Sequence, residues 1–219
     1  MLNIECRFFY YTSSFNFYKV YFCKMYIKFG KVLLDTFLAI LLLAILFPIL
    51  LLISIVLLLL HKDSPFFTQI RVGQHVKTFK IYKFKTITST GEIPPFMKFL
   101  RKTKLDETLQ LFNIIKQEMS FVGPRPDVPG YYDQLSIEFR SISDLKPGLT
   151  GYASLKFSNE EHLLSKQKNP LKYNDEVIFP QKLRLNLKYR KEISFTTDLK
   201  LLFLTFLVVL NLTNYDTKI

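Results

Sequence analysis

Apolar positions are unevenly spread along this chain. From Phe37 to Leu60 only Pro48 and Ser54 interrupt a strongly apolar run, and Val32 to Leu60 reads as one greasy element. At ~1.5 Å per residue the run reaches roughly 36 Å as a straight helix, enough to cross a hydrocarbon core of ~30 Å. Pro48 sits at its middle, where it removes an intrahelical hydrogen bond and bends a helix. Basic residues flank both ends: Lys24, Lys28 and Lys31 before it, His61 and Lys62 after it, Arg71 and Lys77 beyond. A spanning helix shows a positive-inside asymmetry. Symmetric flanks suit a re-entrant helix–break–helix hairpin whose arms are each too short to span. Hydropathy and flank charge leave both topologies open.

Past this element the period changes. Asp63-Ser64-Pro65 is turn chemistry. Residues 66–88 predict a β-hairpin or an irregular ribbon about Val72-Gly73-Gln74, with Phe79, Ile81 and Lys83 alternating with Lys80, Tyr82 and Phe84. Pro94-Pro95 opens a short helix, FMKFLRK. A second helix is expected over Leu105 to Lys116, where Leu105, Leu109, Phe112 and Ile115 make a stripe. Thr103, three residues before Asp106, reads as its N-cap. A helix is also expected over Tyr131 to Ile142. The glycines of Lys146-Pro147-Gly148-Leu149-Thr150-Gly151 allow close backbone approach. Residues 158–190 predict partial helix ending in the basic QKLRLNLKYRK, and Asp198 to Leu212 a helix at a membrane interface.

Composition adds one constraint. Lys+Arg 30 against Asp+Glu 18 gives a net charge of +12, which favours anionic partners. Beside the greasy run, this points to an anionic lipid surface. Cys6 and Cys23 make no CxxC, and His61, His75 and His162 are scattered, which argues against zinc and against a catalytic triad. The aromatic, basic residues 1–30 show no signal-peptide pattern; a start at Met25 is the preferred reading, with an interfacial anchor as the other.

The candidate chemistry gathers in Arg101 to Pro126. Asp106 and Glu107 are adjacent acids, Arg101 precedes them, and Arg125 stands between Pro124 and Pro126. Acids in a first helical turn cap backbone N–H groups and offset the dipole, and that reading stays open. The alternative is phosphate chemistry. Arginine forks bind phosphate oxygens bidentately, a divalent metal is held through carboxylates, and an ionised carboxylate can attack phosphorus.

KVLLDTFLAILLLAILFPILLL, FFTQIRVG, FKIYKFKT, FLRKTKLDETLQLFNIIKQEMSFVGPRP and LKPGLTGYASLKF occur here in one order. In that order and spacing they resemble the bacterial sugar transferase family, the monotopic phosphoglycosyl transferases, over about residues 28–210. The resemblance implies transfer of a phosphosugar from a UDP-sugar to undecaprenyl phosphate, with release of UMP and a need for Mg²⁺. This would be the first membrane step of capsule, exopolysaccharide, O-antigen or glycoprotein glycan synthesis, at the cytosolic face of the bacterial inner membrane. It implies Asp106 as covalent nucleophile and Glu107 as its assistant in metal or proton handling. Arg101, Arg125 and Lys85 would bind phosphate, with Lys83 beside them, and Asp106 and Glu107 would hold Mg²⁺. Pro48, in Phe47-Pro48, matches the family's helix break and favours the re-entrant form.

The expected fold is α+β and mainly helical: a re-entrant membrane hairpin, then a small cytosolic catalytic domain with a short β-ribbon and interfacial amphipathic helices. The expected divisions are a 1–30 extension, a 31–62 membrane helix, a 63–197 catalytic domain and a 198–219 apolar helix and tail. Departures from the family pattern occur at Phe47 (for serine), Leu109 (for proline), Gln117-Glu118 (for Gly-Asp) and Ser154 to Asn159, so the sugar is not read across. Anionic lipids are expected partners and a homodimer is left open. A non-catalytic basic membrane adaptor is the competing class; nucleic-acid binding gives no account of the apolar element.

Overall fold

The computed structural model describes residues 25–61, 64–210 and 212–213. The expected N-terminal extension up to residue 24 and the tail from residue 214 lie outside the described residues. A π-helical turn, Tyr26–Gly30, runs with helical backbone at both caps into α1, Lys31–His61. By length and composition Tyr26–Leu60 is the one described helix able to cross a membrane. Pro48 lies inside α1, and the helix is continuous across it. The ring costs one N–H, and Leu50, Ile53 and Leu57 beyond it are held by packing.

The predicted hairpin is present. β1 (Phe66–Val72) pairs antiparallel with β2 (Thr78–Phe84), Phe66 opposite Phe84 and Val72 opposite Thr78. The reversal uses positive φ at His75 and Val76, with the Gly73 N–H donating to the Lys77 carbonyl oxygen at 2.8 Å. α2 (Pro95–Lys102) opens with proline at its first turn, as its sequence predicts.

The next segment departs from expectation. Lys104 adopts a left-handed conformation (φ 58°), so α2 and the following turn are separate elements. Thr103 is no N-cap: its hydroxyl donates backwards to the carbonyl oxygens of Phe99 and Leu100, closing α2. Leu105–Gln110 is 3-10 helix, and α-helix begins only at α3, Leu111–Ile115. The helix expected over Tyr131 to Ile142 is also absent. Turns occupy that stretch, with a 3-10 segment at Arg140–Asp144, and Tyr132 and Ile142 reach the core from it.

A second sheet was not foreseen. β3 (Ser120–Val122) and β4 (Gly148–Thr150) pair in parallel. A Cβ on Gly123 would come 2.3 Å from the Lys146 carbonyl oxygen, and one on Gly148 would come 2.1 Å from the Gly123 nitrogen. Only glycine fits either place. α4 (Tyr152–Lys156), α5 (Glu160–Ser165), α6 (Pro170–Tyr173), α7 (Phe179–Glu192) and α8 (Phe195–Val209) complete a mainly helical molecule with small sheets.

Three clusters of buried side chains occur among the described residues, and two of them frame the acid-bearing segment. One joins Ala39 of α1 to Ile81, Leu111, Ile114, Phe121, Tyr152, Tyr189 and Leu201. The other joins Leu50, Ile53 and Leu57 of α1 to Phe84, Met97, Leu100 and Leu109. Burying seven such side chains in the smaller core is worth on the order of 10 kcal/mol before entropy is charged. The segment bearing Asp106 and Glu107 enters both cores, through Leu109 and through Leu111 with Ile114. It is wedged between them.

Candidate active site

Asparagine 113 fixes this wedge to the hairpin. It is fully buried in the apolar stripe of α3. Its Nδ2 donates to the Lys80 carbonyl oxygen and to Glu118 Oε2, both at 2.7 Å, and its Oδ1 accepts the Tyr82 N–H at 3.2 Å. The side-chain amide thus docks the acid-bearing segment along β2. The sequence signal was available: a polar residue at a core position of Leu109 to Ile115 needs buried partners.

That docking brings Lys83 of β2 to Glu107, Nζ to Oε1 at 2.9 Å. From the opposite side Arg125 makes a bidentate fork, Nη1 to Glu107 Oε2 at 3.1 Å and Nη2 to Oε1. Burial by itself would raise the Glu107 pKa; the charges and hydrogen bonds of Arg125 and Lys83 outweigh it and hold the acid far below the ordinary carboxylate range. Both Glu107 oxygens are therefore committed to cations.

Asp106 is treated differently. It is 8 % exposed, and its Oδ1 is buried without a hydrogen-bond partner. Burial, then the neighbouring Glu107 charge, raises its pKa; Lys83, Lys104 and Arg101 pull the other way. The two adjacent carboxylates are thus driven in opposite directions. Neither caps a helix, because the 3-10 segment has no side-chain cap hydrogen bond.

The remaining predicted residues separate. Arg101, at the end of α2, donates to Glu161 Oε1 of α5 at 2.5 Å and not to either acid of the pair, though its charge reaches Asp106. Lys85 follows the end of β2, half-buried, its N–H donating to the Pro65 carbonyl oxygen at 2.8 Å. Pro48 stands in α1, away from the acids in sequence and function. The pair, Arg125 and Lys83 form the assembled site; Arg101 and Lys85 border it in sequence.

Magnesium prefers one or two carboxylates completed by phosphate oxygens and water. Asp106 Oδ1 fits such a donor. Glu107 does not while Arg125 and Lys83 occupy it, and no cluster of three acid, His or Cys side chains occurs among the described residues.

The assembled site is a buried carboxylate with one unpartnered oxygen beside an acid held by an arginine and a lysine, in a chain that carries a long apolar helix. The chain belongs to the bacterial sugar transferase family, whose profile matches residues 26–212. It is similar to the uncharacterized sugar transferase EpsL of Bacillus subtilis, 35% identical over 51% of this chain and 61% of that protein. A UDP-glucose:undecaprenyl-phosphate glucose-1-phosphate transferase of Klebsiella pneumoniae is 31% identical over 66% of this chain and 35% of its own length. The exopolysaccharide production protein PSS of Rhizobium leguminosarum is 32% identical over 56% of this chain and 71% of that protein. Against the first two, the matched span is about a third to three fifths of the relative's length.

Proposed function

We propose that this chain transfers a sugar 1-phosphate from a UDP-sugar to undecaprenyl phosphate, releasing UMP, through a covalent phosphosugar ester on Asp106. The observation that carries the reading is the divided acid pair: Asp106 keeps an unpartnered oxygen while Glu107 is locked by Arg125 and Lys83. Named relatives act on UDP-sugars and undecaprenyl phosphate, which agrees with it.

In the first step an Asp106 oxygen bonds to the phosphorus that carries the sugar. The bond from that phosphorus to the bridging oxygen breaks, and UMP departs with the electron pair. In the second step an oxygen of the acceptor phosphate attacks the same phosphorus, and Asp106 leaves as a carboxylate. Arg125 and Lys83 keep N–H donors beyond those spent on Glu107, and these face phosphate charge that is developing. Glu107 is the counter-ion that holds both cations in place; it need not move a proton. Mg²⁺ would be held by Asp106 with diphosphate oxygens, and would neutralise donor charge.

The seating of α1 supports a monotopic, re-entrant arrangement. Its start is tied by Lys31 to Asp198 of α8 at 2.5 Å, and its far end packs through Leu57 with Phe84, Met97 and Leu100. A helix that crosses a ~30 Å core puts its ends in different compartments. One domain touching both ends of α1 favours a helix that stays at one face, with Pro48 as its point of least resistance to bending. Leu33, Phe37, Ile45 and Phe47 of α1, and Phe203 and Phe206 of α8, stand exposed as a lipid-facing surface. The inner-membrane cytosolic face follows from the nucleotide donor.

The test is a UMP-release screen over a panel of UDP-sugars with Mg²⁺, wild type against Asp106→Asn. The wild type should release UMP with one donor and leave a phosphosugar mass on the Asp106 peptide. Asp106→Asn should do neither while staying in the membrane fraction. Turnover retained by Asp106→Asn would remove Asp106 as nucleophile.

A further inference from the structure

Behind the arginine loop stands a charged side chain with no role in the steps above. Arg71 lies near the end of β1 and reaches the loop that follows β3. Its Nη1 donates to the Pro126 carbonyl oxygen at 3.4 Å and to Asp127 Oδ1 at 3.5 Å. Its Nη2 donates to Gln69 Oε1 at 2.7 Å, two residues back on the same strand face. Its Nε is buried with no hydrogen bond. Beside it the Val72 N–H donates to the Asp127 carbonyl oxygen at 2.9 Å, and Asp127 Oδ1 accepts the Val128 N–H at 2.9 Å.

Before Arg125 the loop is held through its backbone, the Gly148 N–H donating to the Pro124 carbonyl oxygen at 2.8 Å. A cavity of about 20 Å³, lined in part by Val72, Gly73, Pro124, Arg125 and Pro126, lies against it. The charges run acid, arginine, arginine, acid: Asp127, Arg71, Arg125, Glu107. Arg71 feels both ends, its ionisation being shifted by burial first, then by Asp127, Arg125 and Glu107. Arg71 and Arg125 carry like charge, and each guanidinium is held by its own acid, Asp127 for Arg71 and Glu107 for Arg125.

We infer that Arg71 is a positioning residue: from the hairpin it clasps Pro126 and Asp127, and so sets the direction in which Arg125 leaves its loop. This rests on the proposed transfer, in which Arg125 faces donor phosphate. The clasp bonds are long and individually weak. Their effect is on aim, where an error of about 1 Å costs up to ~100-fold in rate.

A double-mutant cycle with the most active UDP-sugar tests it. Arg71→Met should lower kcat/KM by about 10- to 100-fold. Arg125→Met should lower it further, and the combined variant should be no worse than Arg125→Met alone. Arg71→Lys should fall between wild type and Arg71→Met, because an ammonium reaches Asp127 but cannot hold the fork to Gln69 as well. Losses that multiply would overturn the inference. Should Arg71→Met fail to fold, Gln69→Leu, which frees Nη2, replaces it in the same cycle with the same expectation. Amide hydrogen exchange gives a readout independent of turnover. Residues 123–131 should exchange about tenfold faster in Arg71→Met, and at the wild-type rate in Arg125→Met. Unchanged protection in Arg71→Met would overturn the clasp. A wild type that releases no UMP from any donor would defeat the transfer reading, while exchange would still decide the clasp.

Discussion

Replacing Asn113 with alanine is the sharpest test of how the site is assembled. The substitution strands the Tyr82 N–H and the Lys80 carbonyl oxygen, both partnered by Asn113 where α3 meets β2. An unsatisfied buried group costs about 1–3 kcal/mol. Tyr82 is half-buried and Lys80 exposed, so water reaches part of the vacated space and the lower half of the range applies. The sum is about 3 kcal/mol, or a melting shift of roughly 6–12 °C for a chain of this size. Asn113→Asp separates the contributions. It keeps an acceptor for Tyr82, loses the donor to Lys80, and sets a carboxylate against Glu118 where a 2.7 Å hydrogen bond stood. Its shift at neutral pH should equal or exceed that of Asn113→Ala and shrink in acid. The assay is thermal unfolding in lipid nanodiscs, followed by tyrosine near-ultraviolet circular dichroism, since the chain has 12 Tyr and no Trp. Donor-dependent UMP release should fall in parallel, because β2 also carries Lys83. Melting of both variants within about 2 °C of wild type would refute the docking role.

Four further outcomes are expected. Asp106, whose pKa is raised by burial and by Glu107, should give the UMP-releasing half-reaction an acidic limb above the ordinary aspartate value of ~3.9; a pH–rate profile flat down to that value would contradict it. A carboxyl with raised pKa opposes folding once pH exceeds that pKa, so Asp106→Asn should melt no lower than wild type at pH 7. Glu107 is the reverse: its lowered pKa contributes stability above the unfolded value of ~4.3, lost only as pH falls through its far lower folded pKa, so Glu107→Gln should melt lower throughout the working range. Asp198→Asn leaves the buried Lys31 ammonium without its closest partner and should cost about 3 kcal/mol, read as a comparable melting shift; Lys31→Met combined with Asp198→Leu should recover part of it.

Strongly periodic elements were legible. The apolar run, the hairpin about Gly73, the basic α7 and the apolar α8 lie close to where period and turn chemistry put them. The acid pair and Arg125 were also found by type and spacing, and the structure unites them. What escaped were features fixed by tertiary contact. Thr103 has N-cap chemistry, but a left-handed Lys104 reverses its hydroxyl onto α2. Tyr131 to Ile142 reads as a helix, yet Tyr132 and Ile142 pack with Val72 and Leu183 from turns and a 3-10 segment. β3 and β4 are three residues each, too short for a period; the glycines at 123 and 148 were their only trace. Arg101 looked equivalent to Arg125, but nothing local reveals that Glu161, sixty residues on, takes it.

α1 gives Ala39 to one core and Leu50, Ile53 and Leu57 to the other, and the acid pair sits between them. The helix is thus no tether that can be cut from a finished catalytic body. It leaves the ribosome before the hairpin, α3 and α8 with which its core residues later pack, so on the proposed seating lipid receives it while the rest of the chain is still being made. The bilayer then acts as the surface on which the active site is cast, and a shortened chain starting after His61 would lose its chemistry along with its address.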